Sequence, residues 1–480
     1  MTVTSFATLL RRHADAAPDA PALTCEGVSV SRLELDRASN RLARAYAKLG
    51  VGYGDLVTIG LPNGLEFFHS ALAVWKLGAT PNPVSSKMPP SELAAVVELA
   101  KPALVVGMEL GGHPSVPLGF TPDPDLSDDA LPDVVSPVWK AVTSGGSTGR
   151  PKLIKTPQAA CWEEIGGLAG LVQLSEGKSQ LTTGPLSHNG PFLTGAAALL
   201  MGNNVVIMPR FDATTALALI QEHSIDWMYA VPTMMQRISR LEDEVRASFD
   251  VSSLRIVMHL AAPCPAWVKQ HWIDWLGPTV VWELYAGTEA QAITLINGVQ
   301  WLEHRGSVGA PVVGEIEIRH ADGSSCAPEE IGEVWMRRGE GAAPTYEYIG
   351  AQAKSKEGWE SLGDLGYMDS DGYLYLTDRD SDMILVGGAN VYPAEIEEAL
   401  TELPGVKSSA VVGLPHADLG NVPHAIVEAD ESVTDEEILA HLKAKLASYK
   451  LPRSVERVDY SLRDDAGKIR RSALRAERIK

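Results

Sequence analysis

Short apolar runs alternate with segments of helical periodicity along most of this chain. Residues 56–61 form one such run, and the segment 66–76 that follows it has Phe67, Ala71 and Val74 at positions i, i+4 and i+7. The alternation continues at 91–100 and 103–106 (helix, strand), at 205–208, 214–223 and 227–230 (strand, helix, strand), and at 254–258, 266–275 and 279–285 (strand, helix, strand). This order predicts parallel sheets with helices on both faces, and ligands bind such sheets at the carboxyl ends of the strands.

The pattern changes near residue 365, which predicts a second domain. Residues 367–377 are typical of a hairpin that turns at Asp371-Gly372. The elements predicted beyond it are a helix opened by Pro393, strands at 410–413 and 425–427, and a helix behind a capping box of Thr434 and Glu437. The sequence therefore predicts an α/β fold with an N-terminal domain at 1–378 and a C-terminal domain at 379–480, joined by a hinge at about 378–382.

Charge and cysteine content narrow the classes of function. The formal net charge of −20 argues against a nucleic-acid-binding protein, and solubility is the simplest explanation of the acidity. No apolar run is long enough to span a bilayer, and residues 1–20 lack the apolar core of a signal peptide. The four cysteines show no metal-ligand spacing: Cys25, Cys161, Cys264 and Cys326. We therefore expect a cytoplasmic protein that binds neither nucleic acid nor membrane.

Residues 143–152, with the sequence TSGGSTGRPK, form a candidate phosphate loop behind the apolar run 138–142. Glycines let a backbone approach a phosphate closely, hydroxyl groups add hydrogen-bond donors, and Lys152 adds a positive charge. The chain has no G-x-x-x-x-G-K-[ST] run, so it is not a P-loop NTPase. Taken alone, the segment is also compatible with a flexible surface turn.

Further segments resolve that ambiguity, because they occur in a fixed order along nearly the whole chain. Together with the phosphate loop they resemble the adenylate-forming superfamily of acyl-CoA synthetases, peptide-synthetase adenylation domains and luciferases. These segments are LSHNGP at 186–191, YAGTEA at 285–290, GSVGAPV at 306–312, Gly363-Asp364, residues 378–400 and DAGKIRRS at 465–472. The resemblance implies a large N-terminal domain of doubly wound sheets plus a distorted barrel, and a small, mobile α+β C-terminal domain.

The resemblance also implies a nucleotide site. It implies that the ATP phosphates are held by Thr143, Ser144, Gly145, Gly146, Ser147, Thr148, Gly149 and Lys152. Thr288 would contact the α-phosphate, and Glu289 would hold Mg²⁺, which prefers hard oxygen ligands. Asp364 would bind both ribose hydroxyls, with Arg379 beside it. The residues implied around the adenine ring and the nucleotide pocket are Ala261, Ala262, Pro263, Tyr285, Ala286 and Gly287.

Carboxylate activation explains why such a site needs cations. A carboxylate oxygen attacks the α-phosphate, and because both groups are anionic, catalysis depends on positioning and on cationic stabilisation. By resemblance, Lys468 reaches both groups, and the small domain then rotates so that coenzyme A can attack the acyl-adenylate. Gly387 and Gly388 would line the thiol tunnel, and His188 would gate it from the acyl pocket.

The acid itself is only loosely predicted. Small side chains leave room for a bulky or polycyclic acid, although close helix packing explains them equally well: Gly195, Ala196, Ala197, Ala286, Gly287 and Ala290. The motifs look most similar to those of bile-acid, steroid and terpenoid acid CoA ligases. Pro185, Leu186 and Ser187 stand where amino-acid-activating relatives carry an aspartate, which favours an acid without an α-amine.

We predict an AMP-forming acyl-CoA ligase that uses ATP, Mg²⁺ and coenzyme A. Because two-fold dimers are the commonest assemblies of soluble proteins, we also expect a homodimer. Departures from the common motifs keep alternatives open: Leu153, Ala286, Asp378, Ser381 and Asn421. One alternative is an enzyme that only thioesterifies an acyl-adenylate received from a partner adenylating enzyme. Another is an acyl-AMP ligase that loads a carrier protein. A third is a nucleotide-binding pseudoenzyme, against which Asp364, Glu289 and Lys468 count.

Overall fold

The computed structural model describes residues 3–145, 151–416 and 418–479. Its helices are α1 Phe6–Ala16, α2 Arg32–Lys48, α3 Leu65–Lys76, α4 Pro90–Ala100, α5 Trp162–Leu171, α6 Asn189–Leu200, α7 Ala213–Glu222, α8 Pro232–Ser239, α9 Asp243–Ala247, α10 Ala266–Leu276, α11 Gly298–Glu303, α12 Pro393–Glu402, α13 Asp435–Lys445 and α14 Arg471–Arg478. A single 3₁₀ turn among the described residues spans Ser448–Lys450. None of these helices is long and apolar enough to cross a membrane.

The strands fall into five sheets within the described ranges. They are β1 Pro21–Cys25, β2 Val28–Ser31, β3 Leu56–Ile59, β4 Thr80–Pro83, β5 Leu104–Val106, β6 Ser115–Val116, β7 Lys140–Gly145, β8 Pro151–Thr156, β9 Ser179–Thr182, β10 Asn204–Ile207, β11 Trp227–Ala230, β12 Ile256–His259, β13 Val281–Tyr285, β14 Ile293–Asn297, β15 Ala310–Val313, β16 Glu315–Arg319, β17 Gly332–Arg337, β18 Glu347–Ile349, β19 Lys354–Lys356, β20 Trp359–Met368, β21 Leu374–Arg379, β22 Ile384–Val386, β23 Ala389–Val391, β24 Val406–His416, β25 Gly420–Ala429 and β26 Ser454–Val458.

Two sheets confirm the predicted alternation of strands and helices. The larger has the order β15-β14-β13-β12-β11-β9-β10-β1-β2, in which the strands from β13 to β1 are parallel. The smaller has the order β4-β3-β5-β6 and is parallel throughout. Helices α3, α7 and α10 each connect two parallel strands, as their apolar periodicity predicts. The carboxyl ends of β12 and β13 therefore lie side by side at one edge of the larger sheet.

A stacked aromatic cluster holds the start of β7 in place. The ring of Phe192 on α6 lies 5.7 Å from that of Trp75 on α3 and 6.2 Å from that of Trp139. The indole nitrogen of Trp75 donates to the carbonyl oxygen of Trp139 at 2.7 Å. All three rings are buried, so the chain that leads into the phosphate loop is anchored in the main core.

Two further antiparallel sheets of the large domain make up the part for which a distorted barrel is predicted. Among the described strands, one sheet has the order β16-β17-β20-β19, with β21 also paired to β20, and the other has the order β18-β8-β7. The length of β20 explains why β21 lies outside the main strand order. Its first half pairs with β19 and its second half with β21, so one long strand carries two short neighbours on the same edge.

The C-terminal domain is built on the sheet β23-β22-β25-β24, with β26 paired to β25. Ile396, Leu400, Ile438 and Leu442 bring α12 and α13 onto this sheet in a separate apolar core. The predicted capping box is confirmed, because the Thr434 side chain accepts from the backbone of N3 and Glu437 caps in return. Strands β24 and β25 extend beyond the predicted segments because buried polar residues, Ser408, Ser409 and His424, interrupt the apolar pattern and the far ends are exposed.

Candidate active site

Asp364 lies between two donors where the larger sheet meets the β20–β21 hairpin. The hydroxyl of Tyr285, at the carboxyl end of β13, donates to Asp364 Oδ2 at 2.7 Å, and Arg379 Nε donates to Oδ1 at 3.2 Å. Asp364 and Arg379 face each other in the antiparallel register of β20 and β21. Burial and the Asp364 carboxylate raise the pKa of Tyr285 well above its ordinary value, so its hydroxyl is a donor at neutral pH. Both oxygens of Asp364 are thereby fixed in orientation.

Glu289 is a buried carboxylate held by groups from two paired strands. Lys152 Nζ, on β8, lies 3.2 Å from Glu289 Oε1 and 4.0 Å above the ring of Tyr348 on β18. The Tyr348 hydroxyl donates to the same oxygen, and burial together with Glu289 raises its pKa. Thr345 fixes the backbone of Glu289 by donating to its carbonyl oxygen at 2.6 Å. Mg²⁺ binds one or two protein carboxylates together with phosphate oxygens, and Glu289 fits that requirement.

Sequence reasoning did not identify Tyr348 or Thr345 as site residues. They lie about 60 positions after Glu289, in a segment without a motif, and β18 reaches the site by pairing with β8. No local signal predicts this pairing.

The two ends of the phosphate loop lie on the β7–β8 hairpin. Asn82 Nδ2, buried on β4, donates to the hydroxyl of Thr143 at 3.1 Å and to the carbonyl oxygen of Ala141 at 2.7 Å. Ser144 pairs with Lys152 in the strand register, and Gly145 pairs with Pro151. The remaining predicted loop residues lie outside the described residues: Gly146, Ser147, Thr148 and Gly149.

The loop that carries Lys468 docks against the large domain. Gly467 has a φ of +77°, and a Cβ atom there would lie 3.2 Å from Thr233 Oγ1 on α8. Asp464 Oδ1 shapes the turn by accepting from the backbone nitrogen of Lys468 at 2.9 Å. An exposed ion pair, Lys87 Nζ to Asp465 Oδ2 at 2.9 Å, joins the same loop to the large domain. The small-domain lysine is thus brought to the large-domain site.

Charges from both domains act on one another at this site. The Lys468 side chain keeps contact with solvent. Even so, burial of the surrounding cleft lowers its pKa, Arg379 lowers it further, and Asp464 and Glu289 oppose the shift. Burial and then Lys468 lower the pKa of His188, which favours a neutral imidazole at the start of α6. The charges of Arg379 and Glu289 in or beside the nucleotide site therefore reach Lys468, and that of Lys468 reaches His188.

The segments after β12 and β13 have unusual backbone geometry. Ala261 has a backbone φ of +76° and Ala290 a φ of +54°, values that residues other than glycine rarely adopt. A Cβ atom on Gly287 would lie 2.3 Å from Leu362 Cδ1 and 2.9 Å from Glu289 Oε2, so a side chain there would have to displace both. Ala261, Ala262 and Pro263 follow β12 directly, next to Tyr285 on β13. Thr288 is half-buried, and within the described ranges its hydroxyl has no hydrogen-bond partner. Strained backbone of this kind occurs at ligand sites.

The structure does not bring Gly387 and Gly388 into this site. They form the turn between β22 and β23, where the Gly387 nitrogen donates to Leu419 at 2.9 Å. A Cβ atom on Gly387 would meet Leu419 alone, and one on Gly388 would meet nothing within 4 Å. Among the described residues, no large-domain atom therefore lies within 4 Å of a Cβ atom added to either glycine.

Three of the predicted acyl-pocket residues belong to the packed core. Ala196 and Ala197 are 1% exposed, and a Cβ atom on Gly195 would lie 2.8 Å from the ring of Phe68. These positions are small because α6 packs closely against α3 and the sheet. Tyr229, which sequence reasoning did not single out, lies against Gly190, where an added Cβ atom would be 2.9 Å from its ring.

A buried lysine lies beneath the start of α6. Lys140, on β7, is 2% exposed, and its Nζ donates to Asn189 Oδ1 at 2.5 Å. Burial lowers the pKa of Lys140 to about 7, and the charge of Glu289 opposes the shift. In the sequence, this buried lysine could have been identified as the single charged residue within the apolar run 138–142.

Comparison with known proteins places this geometry in a family. The model of the AMP-binding enzyme family matches residues 10–347, and that of the AMP-binding enzyme C-terminal domain matches residues 395–468. Feruloyl-CoA synthase from an Amycolatopsis species is 31% identical over 97% of this chain and 97% of its own. The 3-[(3aS,4S,7aS)-7a-methyl-1,5-dioxo-octahydro-1H-inden-4-yl]propanoyl:CoA ligase of Rhodococcus jostii (strain RHA1) is 28% identical over 99% of both chains.

Solved structures agree with these matches. The o-succinylbenzoate CoA synthetase of Bacillus subtilis, in complex with its acyl-adenylate, has a TM-score of 0.82 at 25% identity, over 99% of this chain and 98% of that one. The same enzyme in complex with ATP and a magnesium ion has a TM-score of 0.81 at 26% identity, over 97% and 98% of the two chains. The predicted family and the use of ATP and coenzyme A are thereby confirmed. The chain belongs to the AMP-binding enzyme family and is an ATP-dependent, AMP-forming acyl-CoA ligase.

Proposed function

We propose that Lys468 drives the first of two half-reactions in this enzyme and leaves the site for the second. In the first, a carboxylate oxygen of the acid bonds to the α-phosphorus of ATP and pyrophosphate leaves. In the second, the sulfur of coenzyme A bonds to the acyl carbon and AMP leaves with the bonding electrons. The observation that supports this role is the docking of the loop that carries Lys468 on the large domain, through Gly467 against Thr233 and the ion pair of Asp465 with Lys87.

The nucleotide would bind along the edge formed by β13 and the β20–β21 hairpin. Each oxygen of Asp364 has one protein donor, Tyr285 or Arg379, and keeps a free lone pair for a ribose hydroxyl. Lys152 and the phosphate loop would hold the β- and γ-phosphates. Glu289 would hold Mg²⁺, which when bound would neutralise charge on the departing pyrophosphate. Thr288, which is half-buried beside Glu289, would donate to the α-phosphate.

The hinge proposed at residues 378–382 agrees with the hydrogen bonds around it. The backbone nitrogen of Asp380 donates to Gly363 of the large domain at 2.9 Å. Asp382 Oδ2 accepts from Arg471 of the small domain at 2.8 Å. Ser381 lies between these two anchors, so the change of domain orientation would fall on one or two backbone torsions near it.

A bulky acid without an α-amine remains the proposed substrate class. The Rhodococcus relative is named for a bicyclic propanoyl group, which supports it. Gly195, Ala196 and Ala197 no longer do, because they are packed in the core. A screen of ferulic, medium-chain, steroid and terpenoid acids for thioester formed with ATP and coenzyme A tests the class. Thioester from the medium-chain acids alone would contradict it.

A homodimer is proposed as the assembly, because two-fold dimers are the commonest closed assembly of soluble proteins. Light scattering measures the oligomer, and a monomer at micromolar concentration would contradict the proposal. Replacing coenzyme A in the same assay with a pantetheinylated carrier protein tests whether the enzyme also loads a carrier arm.

Lys468→Ala tests the central role directly. We expect it to lower pyrophosphate exchange by orders of magnitude while sparing thioester formation from supplied acyl-adenylate and coenzyme A. Lys443→Ala is the matched control, since Lys443 is an exposed lysine on α13 of the same domain. A bulky residue at Gly388 should have the opposite effect, slowing the thiol step alone. Equal loss of both half-reactions in Lys468→Ala would contradict the two-orientation mechanism.

A further inference from the structure

Two helices of the large domain carry contacts to the small domain away from the reacting atoms. Helix α8 touches Gly467 with its first turn, through Thr233. The residue that caps the other end of α8, Arg240, donates from a terminal guanidinium nitrogen to the carbonyl oxygen of Thr401 at 3.1 Å. The two contacts are separated by the length of α8, about 12 Å at 1.5 Å per residue. A single helix therefore connects the Lys468 loop to a second docking point.

The Arg240 contact satisfies a helix end in the small domain. Thr401 is in the last turn of α12, where backbone carbonyl groups lack partners within the helix and carry partial negative charge. The guanidinium also lies 5.8 Å from the ring of Trp267. Burial lowers the pKa of Arg240, and the carboxylate of Asp430 in the small domain opposes that shift. Arg240 is thus placed as a cation at the carboxyl end of α12.

The same helix of the small domain satisfies a helix end in the large domain. Helix α10 begins behind Pro265, which provides no side-chain cap. Glu398 of α12 supplies it, since its Oε1 accepts from the backbone nitrogen of Ala266 at 3.1 Å. A carboxylate at a helix amino end is favourable for the same electrostatic reason that a cation is at the carboxyl end.

We propose that Arg240 and Glu398 are positioning residues that hold Lys468 in the site during adenylation. We call the pair of hydrogen bonds, Arg240 to Thr401 and Ala266 to Glu398, the interdomain clasp. Each domain caps a helix of the other, so a rotation that withdraws Lys468 must break both bonds. The inference rests on the proposed function, because it assigns the clasp to one of the two half-reactions.

The clasp is tested by comparing the half-reactions in Arg240→Ala and Glu398→Ala, with the acid that the screen identifies. Loss of one capping bond should slow pyrophosphate exchange by roughly fivefold in each variant, and by more in the double variant. Thioester formation from supplied acyl-adenylate should stay unchanged or rise, because the other orientation lacks these bonds. Arg237→Ala and Glu402→Ala are matched controls on the same helices, and neither residue contacts the other domain among the described residues. Equal slowing of both steps, or no slowing of either, would overturn the proposal.

A second measurement needs no acid. With ATP and Mg²⁺ present, amide hydrogen exchange in residues 264–270 should accelerate in Glu398→Ala and not in Glu402→Ala, since only the former uncaps α10. Unchanged exchange in both variants would overturn the clasp. If the wild-type enzyme shows no pyrophosphate exchange with any acid, the proposed function fails, while the hydrogen-exchange comparison still decides the clasp.

Discussion

Removing one buried lysine should destabilise the strand that presents Tyr285. Lys269 Nζ, on α10, lies 2.5 Å from Glu283 Oε2 on β13, and the two side chains are 1% and 7% exposed. His259 Nε2 is 3.8 Å from the same oxygen, but burial lowers the pKa of His259 to about 4, so its ring is neutral at pH 7. Lys269 therefore supplies the positive charge in contact with Glu283 among the described residues.

We expect Lys269→Met to lower the free energy of unfolding by about 3–5 kcal/mol at neutral pH, the usual cost of leaving one member of a buried pair unpaired. Methionine keeps most of the side-chain volume, so cavity formation adds little.

Urea unfolding at pH 7, followed by tryptophan fluorescence, measures the loss. Lys155→Met is the matched control, because the Lys155–Glu347 pair is partly exposed and should contribute less than about 1 kcal/mol. The double variant Lys269→Met with Glu283→Gln should recover most of the lost stability, since it removes the unpaired charge. A loss in Lys269→Met as small as that in Lys155→Met would refute the reasoning.

Two further predictions concern the nucleotide edge and the start of α6. Asp364→Asn should raise the KM for ATP in pyrophosphate exchange by at least about tenfold, because charge-assisted hydrogen bonds contribute about 1.5–3 kcal/mol each; an unchanged KM would contradict it. Lys140→Met tests the buried amine. Because the pKa of Lys140 is about 7 in the folded state and its ordinary value is 10.5, wild-type stability relative to this variant should rise between pH 7.5 and 9, by up to about 1.4 kcal/mol per unit. Parallel stability curves in urea unfolding would show that Lys140 does not titrate in this way.

Local patterns determined the architecture of this protein to a large extent. The 3.6-residue period gave the helices between parallel strands, the Thr434–Glu437 box gave the start of α13, and Asp371-Gly372 gave the β20–β21 turn. Each of these signals acts over a few residues, within the reach of one helical turn or one hairpin. The pairing of β20 with both β19 and β21 along one edge was not predicted, because the β19 segment, Lys354–Lys356, is exposed and carries no apolar pattern.

Tertiary structure decided which residues meet. Lys152, Glu289, Asp364 and Arg379 were identified as site candidates from motifs, but their hydrogen-bonding partners were not. Tyr348 reaches Glu289 because β18 pairs with a strand almost two hundred residues earlier in the chain. From the sequence, Gly195 is equally compatible with a pocket and with close helix packing, and only its contact with Phe68 in the structure decides between them. Such contacts depend on sheet order and helix packing, and these are set by burial summed over the whole chain rather than by any local run of residues.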